Sequence, residues 1–277
     1  MKNTFKITGG TVPGTDHTMP GEPSWKNNQD AFHLEQNDLM TLGLIADGCS
    51  NGEHSEVGSK IAIRLLGQSI SRLLPRYLER LNEQKGDIEY DFFERVREDL
   101  LANIRVLANQ MGESLSKIIS EYFLFTIVGA LITKEQTYFF SLGDGYIVKN
   151  GEVERLGPFP NNMPPYLSYS FFDNTSIQFK VRFIETEKIE SILLASDGAE
   201  YLIKSEGLKN PNGMWTIKPL SDFWTDDVFI KKNDAIRGRL ALYNKEHPSL
   251  DSNGVPWIKR GPLKDDTTII VIRKIKC

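Results

Sequence analysis

The chain is short of the residues that build soft-metal sites and disulfide scaffolds: its 277 residues include two cysteines and four histidines. Cys49 and Cys277 are too few for a disulfide framework and too far apart in sequence for a Cys-type zinc site. There is no uninterrupted apolar run of the length a membrane span needs. The N-terminal MKNTFKITGGTVPG has no apolar core of the kind a secretory signal carries. There is no basic excess either: 33 Lys and Arg face 37 Asp and Glu, a formal charge of −4, which argues against a body built to bind nucleic acid. The expectation is a cytoplasmic protein with neither nucleic acid nor membrane as partner. Internal repeats, low-complexity tracts and linkers are also missing, so 1–277 reads as a single domain, long enough to bury a sizeable core.

What is present is organised around residues 39–59, LMTLGLIADGCSNGEHSEVGS. An apolar strand-like run ends in Asp47-Gly48, passes through a polar loop and turns helical near Glu56, which puts a carboxylate at a strand end. Upstream, AFHLEQNDLMTLGLIA reads as two strands joined at Gln36-Asn37-Asp38. Downstream, a helix runs through IAIRLLGQSISRLLPRYLERL, with Pro75 expected to kink or end it. Phe93, Val96, Leu100, Ile104, Leu107, Met111, Leu115 and Ile118 recur at spacings of three and four and predict one helix with an apolar, core-facing stripe. From residue 122 onward YFLFTIVGALI, TYFFSLG, GYIVKNGEVERL, SIQFKVRFIE and IESILLAS read as strands, with a turn at Asn150-Gly151. Residues 204–264 hold Trp215, Trp224 and Trp257 and a helix near Asn233–Tyr243, and read as a lid or insertion. KDDTTIIVIRKI closes the chain as a strand. Strands, two helices, then more strands is the order of an α+β layered domain.

Acids recur at the ends of these strands: Asp30 before the first, Asp47-Gly48, Asp144-Gly145 and Asp197-Gly198 after others, and Asp265-Asp266 before the last. Any one of them alone is an ordinary turn former. Gathered at one sheet edge, they would repel one another unless a cation sat among them. Oxygen donors with little His or Cys favour Mg²⁺ or Mn²⁺ over zinc. Two such ions about 4 Å apart are suited to phosphoryl chemistry.

The ordered set NQDAF (28–32), LIADG (44–48), SLGDG (141–145), LLASDG (193–198) and DDTTIIVI (265–272) resembles the metal-dependent protein phosphatases, the protein phosphatase 2C-like family. GTDHTMPGEP before NQDAF is similar to the bacterial subgroup. The resemblance covers nearly the whole chain. It implies a four-layer αββα sandwich with two central antiparallel sheets and a metal site at one end. It implies two Mn²⁺ or Mg²⁺ ions, with a third held near Glu121, and hydrolysis of phosphoserine and phosphothreonine by a water bridging the two metals. Carried over, Asp47 bridges the metals, Gly48 offers its carbonyl, Asp197 and Asp265 complete a metal shell, and Asp30 holds water. The partner implied is a phosphorylated protein with a cognate kinase.

The sequence departs from the pattern in two places. Trp25 stands where many relatives carry a phosphate-binding Arg, which leaves Lys26 and His17 as the candidate phosphate contacts. Cys49 stands where some relatives have a His. These departures keep two alternatives open: a catalytically silent regulatory or binding module of the same fold, and a phosphatase of small molecules.

Overall fold

The computed structural model describes residues 5–18, 27–83, 88–160, 163–172 and 177–275. Period-two alternation along its strands sets the layers. One sheet holds β2 (Asp30–Gln36), β3 (Thr41–Gly48), β4 (Phe125–Ile132), β5 (Gln136–Leu142) and β8 (Lys180–Glu185), in that order. The other runs β1 (Phe5–Val12), β12 (Thr267–Lys274), β9 (Ser191–Ala195), β6 (Gly145–Lys149) and β7 (Glu152–Leu156). Every pairing in both sheets is antiparallel.

On β3, Leu42, Leu44 and Ala46 point outward and pack with Leu66 and Ile70 of α1 (Ser55–Glu83) and Leu100 and Ile104 of α2 (Ile88–Gln110). Their neighbour Ile45 points inward with Val128 and Ala130 of β4, against Leu194, Ile270 and Ile272 of the other sheet. The second sheet's outer residues Leu193, Ala195, Ile269 and Val271 join Phe223, Phe229, Ile236 and Leu240. Those four belong to α5 (Asp222–Thr225), α6 (Val228–Lys231) and α7 (Ala235–Asn244). Each such side chain contributes about 1.5–3 kcal/mol when fully buried, so both faces of both sheets require cover. The result is the expected four-layer αββα sandwich.

Three local expectations change. Of the two outcomes expected at Pro75, a kink or an end, the end does not occur: helix α1 continues through Pro75 to Glu83. The ring removes one helical hydrogen bond, about 3 kcal/mol in an unsupported helix. Burial of Leu74 and Tyr77 on either side carries the helix across the sheet. The long apolar stripe is divided between α2 and α3 (Leu115–Tyr122). Gly112 adopts φ +92, and Ser114 caps α3 by accepting from the Lys117 amide at 3.4 Å. Met111, at the break, is exposed. Periodicity alone ran across this break, although Gly followed by Ser is itself a stop and start signal.

Residues 204–264 divide into a structural layer and a projection. Helices α5–α7 are the outer cover of the second sheet, with Ile230 and Tyr243 also buried, and α7 is the helix expected near Asn233–Tyr243. The hairpin of β10 (His247–Leu250) and β11 (Pro256–Lys259) stands apart as its own two-stranded sheet. Trp224 packs against the core, whereas Trp215 and Trp257 are exposed. The Asn150-Gly151 turn joins β6 to β7 with φ of +51 and +88, the two left-handed residues that a tight hairpin requires. Among the described residues no helix is long and apolar enough to cross a membrane.

Gly58, in the first turns of α1, tests this packing. A Cβ there would lie 1.5 Å from the Tyr122 carbonyl oxygen. Ala is favoured over Gly in a helix by about 1 kcal/mol, yet Gly58→Ala should lower the urea midpoint by the equivalent of about 2 kcal/mol, because backbone must move. A raised midpoint would contradict the close α1–α3 approach.

Candidate metal centre

The inward-facing rows of the first sheet end in acids. Gly43, Ile45 and Asp47 share the inner face of β3, and Leu34, Phe32 and Asp30 share that of β2. The register sets Asp30 directly opposite Asp47, an arrangement of like charges that opposes pairing. The chain then folds back tightly. The Gly48 amide donates to the Gln29 carbonyl at 3.2 Å and the Cys49 amide to the Leu124 carbonyl at 2.8 Å. A Cβ on Gly48 would sit 3.0 Å from the Ser55 carbonyl oxygen and 3.1 Å from that of Gln29, so a bare residue suits this turn. Gln29 is fastened from both sides: its carbonyl accepts from Ser59 Oγ at 2.6 Å, and its side-chain amide donates to the Cys49 carbonyl at 3.3 Å and to Ser55 Oγ.

The second sheet brings its own acids to the same end. Ser196 continues the inner row of Ile192 and Leu194, and its hydroxyl donates to Asp30 Oδ2 at 2.7 Å. Asp197 follows, and its carbonyl accepts from the Glu200 amide at 2.8 Å as α4 (Ala199–Lys204) begins. Asp266 is buried to 2 % exposure and accepts from the Gly14 amide at 2.8 Å and the Gln29 amide at 2.6 Å. His17 Nδ1 lies 3.0 Å from Asp266 Oδ2, poorly aligned for a hydrogen bond, and Nε2 lies 3.6 Å from Asp265 Oδ1. The Asp265 side chain remains more than a third exposed.

The electrostatics of this end are those of an acidic pocket only partly compensated by the protein. Burial, reinforced by neighbouring carboxylates, pushes Asp30 and Asp47 well above the usual carboxylate range. Asp197 is pushed up to about 7, by burial and then by Asp265 and Asp144. Burial also raises Asp265, an effect His17 opposes. Asp266 in turn raises the His17 imidazole above its ordinary value. Two buried carboxylate oxygens, Asp30 Oδ1 and Asp197 Oδ1, receive no hydrogen bond, and neither does Gln29 Oε1. His17, Asp265 and Asp266 offer ligand atoms within 4.8 Å of one another. Acceptor oxygens without donors, in a cluster of acids, fit a hard divalent cation.

Of the residues singled out from sequence, Asp30, Asp47, Asp197 and Asp265 converge here, with Gly48 at the turn. His17 joins them beside Asp265 and Asp266. Lys26 lies outside the described residues. Sequence reasoning named Asp266 only as the neighbour of Asp265, with no role, and did not single out Ser196, although strand parity points to both: counting back by two from Ile270 reaches Asp266, and counting on from Leu194 reaches Ser196. Tyr166 was also missed. It is brought from the 163–172 segment, is nearly buried, and its phenol is held protonated by burial and by the neighbouring Cys49. No local signal marks it.

The family model described as Protein phosphatase 2C matches residues 14–229, well over half of the chain. The chain belongs to the protein phosphatase 2C family. That match includes Asp30, Asp47 and Asp197 and stops short of Asp265. Among solved structures, a mutant form of a bacterial serine phosphatase is 16 % identical, with a TM-score of 0.50 over 98 % of this chain and 99 % of that one. The catalytic domain of the serine/threonine protein phosphatase PstP, solved with two manganese ions, is 13 % identical, with a TM-score of 0.49 over 98 % and 99 % of the two chains. A C. elegans sex-determining protein is 12 % identical, with a TM-score of 0.49 over 97 % of this chain and 64 % of that one. At these identities the likeness speaks to the protein phosphatase 2C fold alone. No curated protein matches the sequence.

The raised carboxylates set the pH dependence of the metal-free protein. A carboxyl whose folded pKa exceeds its unfolded value of 3.8 favours folding fully below that value, and the contribution is lost as pH rises through the folded one, about 7 for Asp197. The Tm of chelator-treated protein should therefore fall between about pH 5.5 and 8, and Mn²⁺ should raise it more at the upper end. A metal-free Tm that rises over this interval would contradict the charge arrangement.

Proposed function

We propose that the chain is a Mn²⁺- or Mg²⁺-dependent phosphatase that hydrolyses phosphoserine and phosphothreonine in a protein substrate, the counterpart of a cognate kinase. The observation that carries this reading is the convergence of Asp30, Asp47, Asp197 and Asp265 at one end of the sandwich, with buried oxygens of Asp30 and Asp197 left without donors. Asp47, Asp197, Asp265 and the Gly48 carbonyl would hold two cations. When bound, those cations supply positive charge to the phosphoryl oxygens and acidify water.

The chain's own residues do the rest. Asp30 has one oxygen committed to Ser196 Oγ, which fixes the carboxylate and leaves Oδ1 to accept a proton from a water and orient it. Asp266 holds the Gly14 and Gln29 amides, and so ties the segment before β2 to the start of β12. Asp266 holds the His17 imidazole above its ordinary pKa, and when protonated His17 offsets part of the repulsion between Asp265 and Asp266. A reducing cytoplasm suits the free Cys49 beside the site.

Hydrolysis of p-nitrophenyl phosphate and of a phosphothreonine peptide tests this reading, each with Mn²⁺ and with chelator. Both should require metal. Asp197→Asn should lose more than the roughly 10–100-fold that follows removal of an outer partner, and Asp30→Asn should fall within that range. Absence of turnover under every metal condition would leave a silent phosphatase-like module. Turnover of the aryl ester but not of the peptide would favour a small phosphorylated molecule as substrate.

A further inference from the structure

Residues 157–172 contain no charged side chain, in a chain that is 25% Asp, Glu, Lys and Arg. They carry instead Phe159, Met163, Tyr166, Tyr169, Phe171 and Phe172. Within the described parts of this stretch, 157–160 and 163–172, Tyr166 is buried. Met163 is 66% exposed, Phe172 50% and Tyr169 40%. Singly exposed apolar residues are ordinary, but the placement of these is not.

The stretch is fastened to the acidic end of the molecule. A Cβ on Gly157 would lie 3.4 Å from that of Asp144, and one on Gly143 would lie 3.4 Å from that of Pro164. Gly143 and Asp144 join β5 to β6 next to Asp197, whose carboxyl Asp144 helps to raise. Ser168 Oγ donates to the Phe123 carbonyl, and the following carbonyl, that of Leu124, accepts from the Cys49 amide. Tyr166 neighbours Cys49, and the Tyr169 ring meets Tyr166 edge-on with centroids 5.5 Å apart. The Tyr169 amide donates to the Tyr166 carbonyl at 3.1 Å, and the Phe172 amide to the Tyr169 carbonyl at 3.0 Å. One compact turn thus carries an exposed aromatic surface beside the Asp47-Gly48-Cys49 turn and forms a wall of the metal centre.

Continuity with the metal centre identifies the occupant. A phosphoryl group held at the acids would bring its neighbouring residues against this wall. Charged groups meet the stretch elsewhere: Arg105 lies 5.0 Å over Phe171, Lys180 5.8 Å over Phe159, and Asp144 borders Gly157. Among the described residues no cation stands over Tyr169. An aliphatic or aromatic side chain gains buried area against such a ring face, whereas a polar one gives up water there without a partner. We propose that Tyr169, with Phe172 beside it, is a specificity-determining residue that selects protein substrates carrying an aliphatic or aromatic side chain next to the phosphorylated residue. This inference rests on the phosphatase reading for the identity of the partner, but the selectivity itself is read from binding and needs no turnover.

Fluorescence anisotropy with Mn²⁺ present tests it, using two labelled peptides of equal charge in which a non-hydrolysable phosphonate replaces phosphothreonine. One has Leu and Phe beside that residue, the other Ser and Gln. The apolar peptide should bind at least about tenfold tighter, and Tyr169→Ser should shrink the difference to below about threefold. Tyr169→Phe should keep the preference, because the ring and not the hydroxyl makes the contact. Phe172→Ser, at a half-exposed position, should narrow it independently of Tyr169. With the matching phosphopeptides, the loss in Tyr169→Ser should fall on KM and not on kcat. Equal binding of the two peptides by the wild type would overturn the proposal. So would a preference that survives both Tyr169→Ser and Phe172→Ser, or one that Tyr169→Phe removes. A wild-type dimer in sedimentation that Tyr169→Ser dissociates would also overturn it, since a second copy would then cover the wall. Failure of the phosphatase reading shows separately, as absent p-nitrophenyl phosphate hydrolysis in the wild type.

Discussion

Repulsion among carboxylates gathered at one end of two packed sheets is the constraint on which the rest of this structure depends. Asp30 and Asp47 face each other across a strand pair, and Asp197, Asp265 and Asp266 arrive from the opposing sheet. Two like charges in such a setting would push the sheets apart at that end if nothing compensated them. The fold compensates in part: Ser196 donates to Asp30, two backbone amides donate to Asp266, and the His17 imidazole lies against Asp266. What is left over is a set of unmatched oxygens and raised pKa values, an arrangement suited to divalent cations.

The layered architecture allows this concentration of charge. Inward rows of Ile, Leu and Val run the length of both sheets and hold them together before the acids begin. Outer helices seal the opposite faces, so the charged end is a boundary of a well-packed body and not a defect within it.

How much of this was legible beforehand varied with the range of the interaction. Strand runs, the Asn150-Gly151 turn and the acids at strand ends follow from local pattern and turn chemistry. Whether α1 would end at Pro75 was not legible, because burial of Leu74 and Tyr77 against distant residues outweighs a local cost. The role of residues 204–264 was hidden for a related reason. Helices as short as α5 and α6 carry little periodicity, and only the bare outer face of a sheet shows what they cover. Tyr166 reaches the site from a loop whose own sequence has no period to read.

By itself the sequence determined the residue types: strands of alternating apolar character, carboxylates at their ends, and few soft ligands to compete for a metal. Strand parity, carried one residue past the ends of β12 and β9, also points Asp266 and Ser196 inward with Ile270 and Leu194. Only the tertiary structure decided which acids meet, because register and sheet order bring together residues as far apart in the chain as Asp30 and Ser196. Only it decided that His17 lies beside Asp265 and Asp266, and that an uncharged stretch of the chain borders the same end. Contacts between distant segments carry no local signature, so their chemistry appears once the sheets have closed.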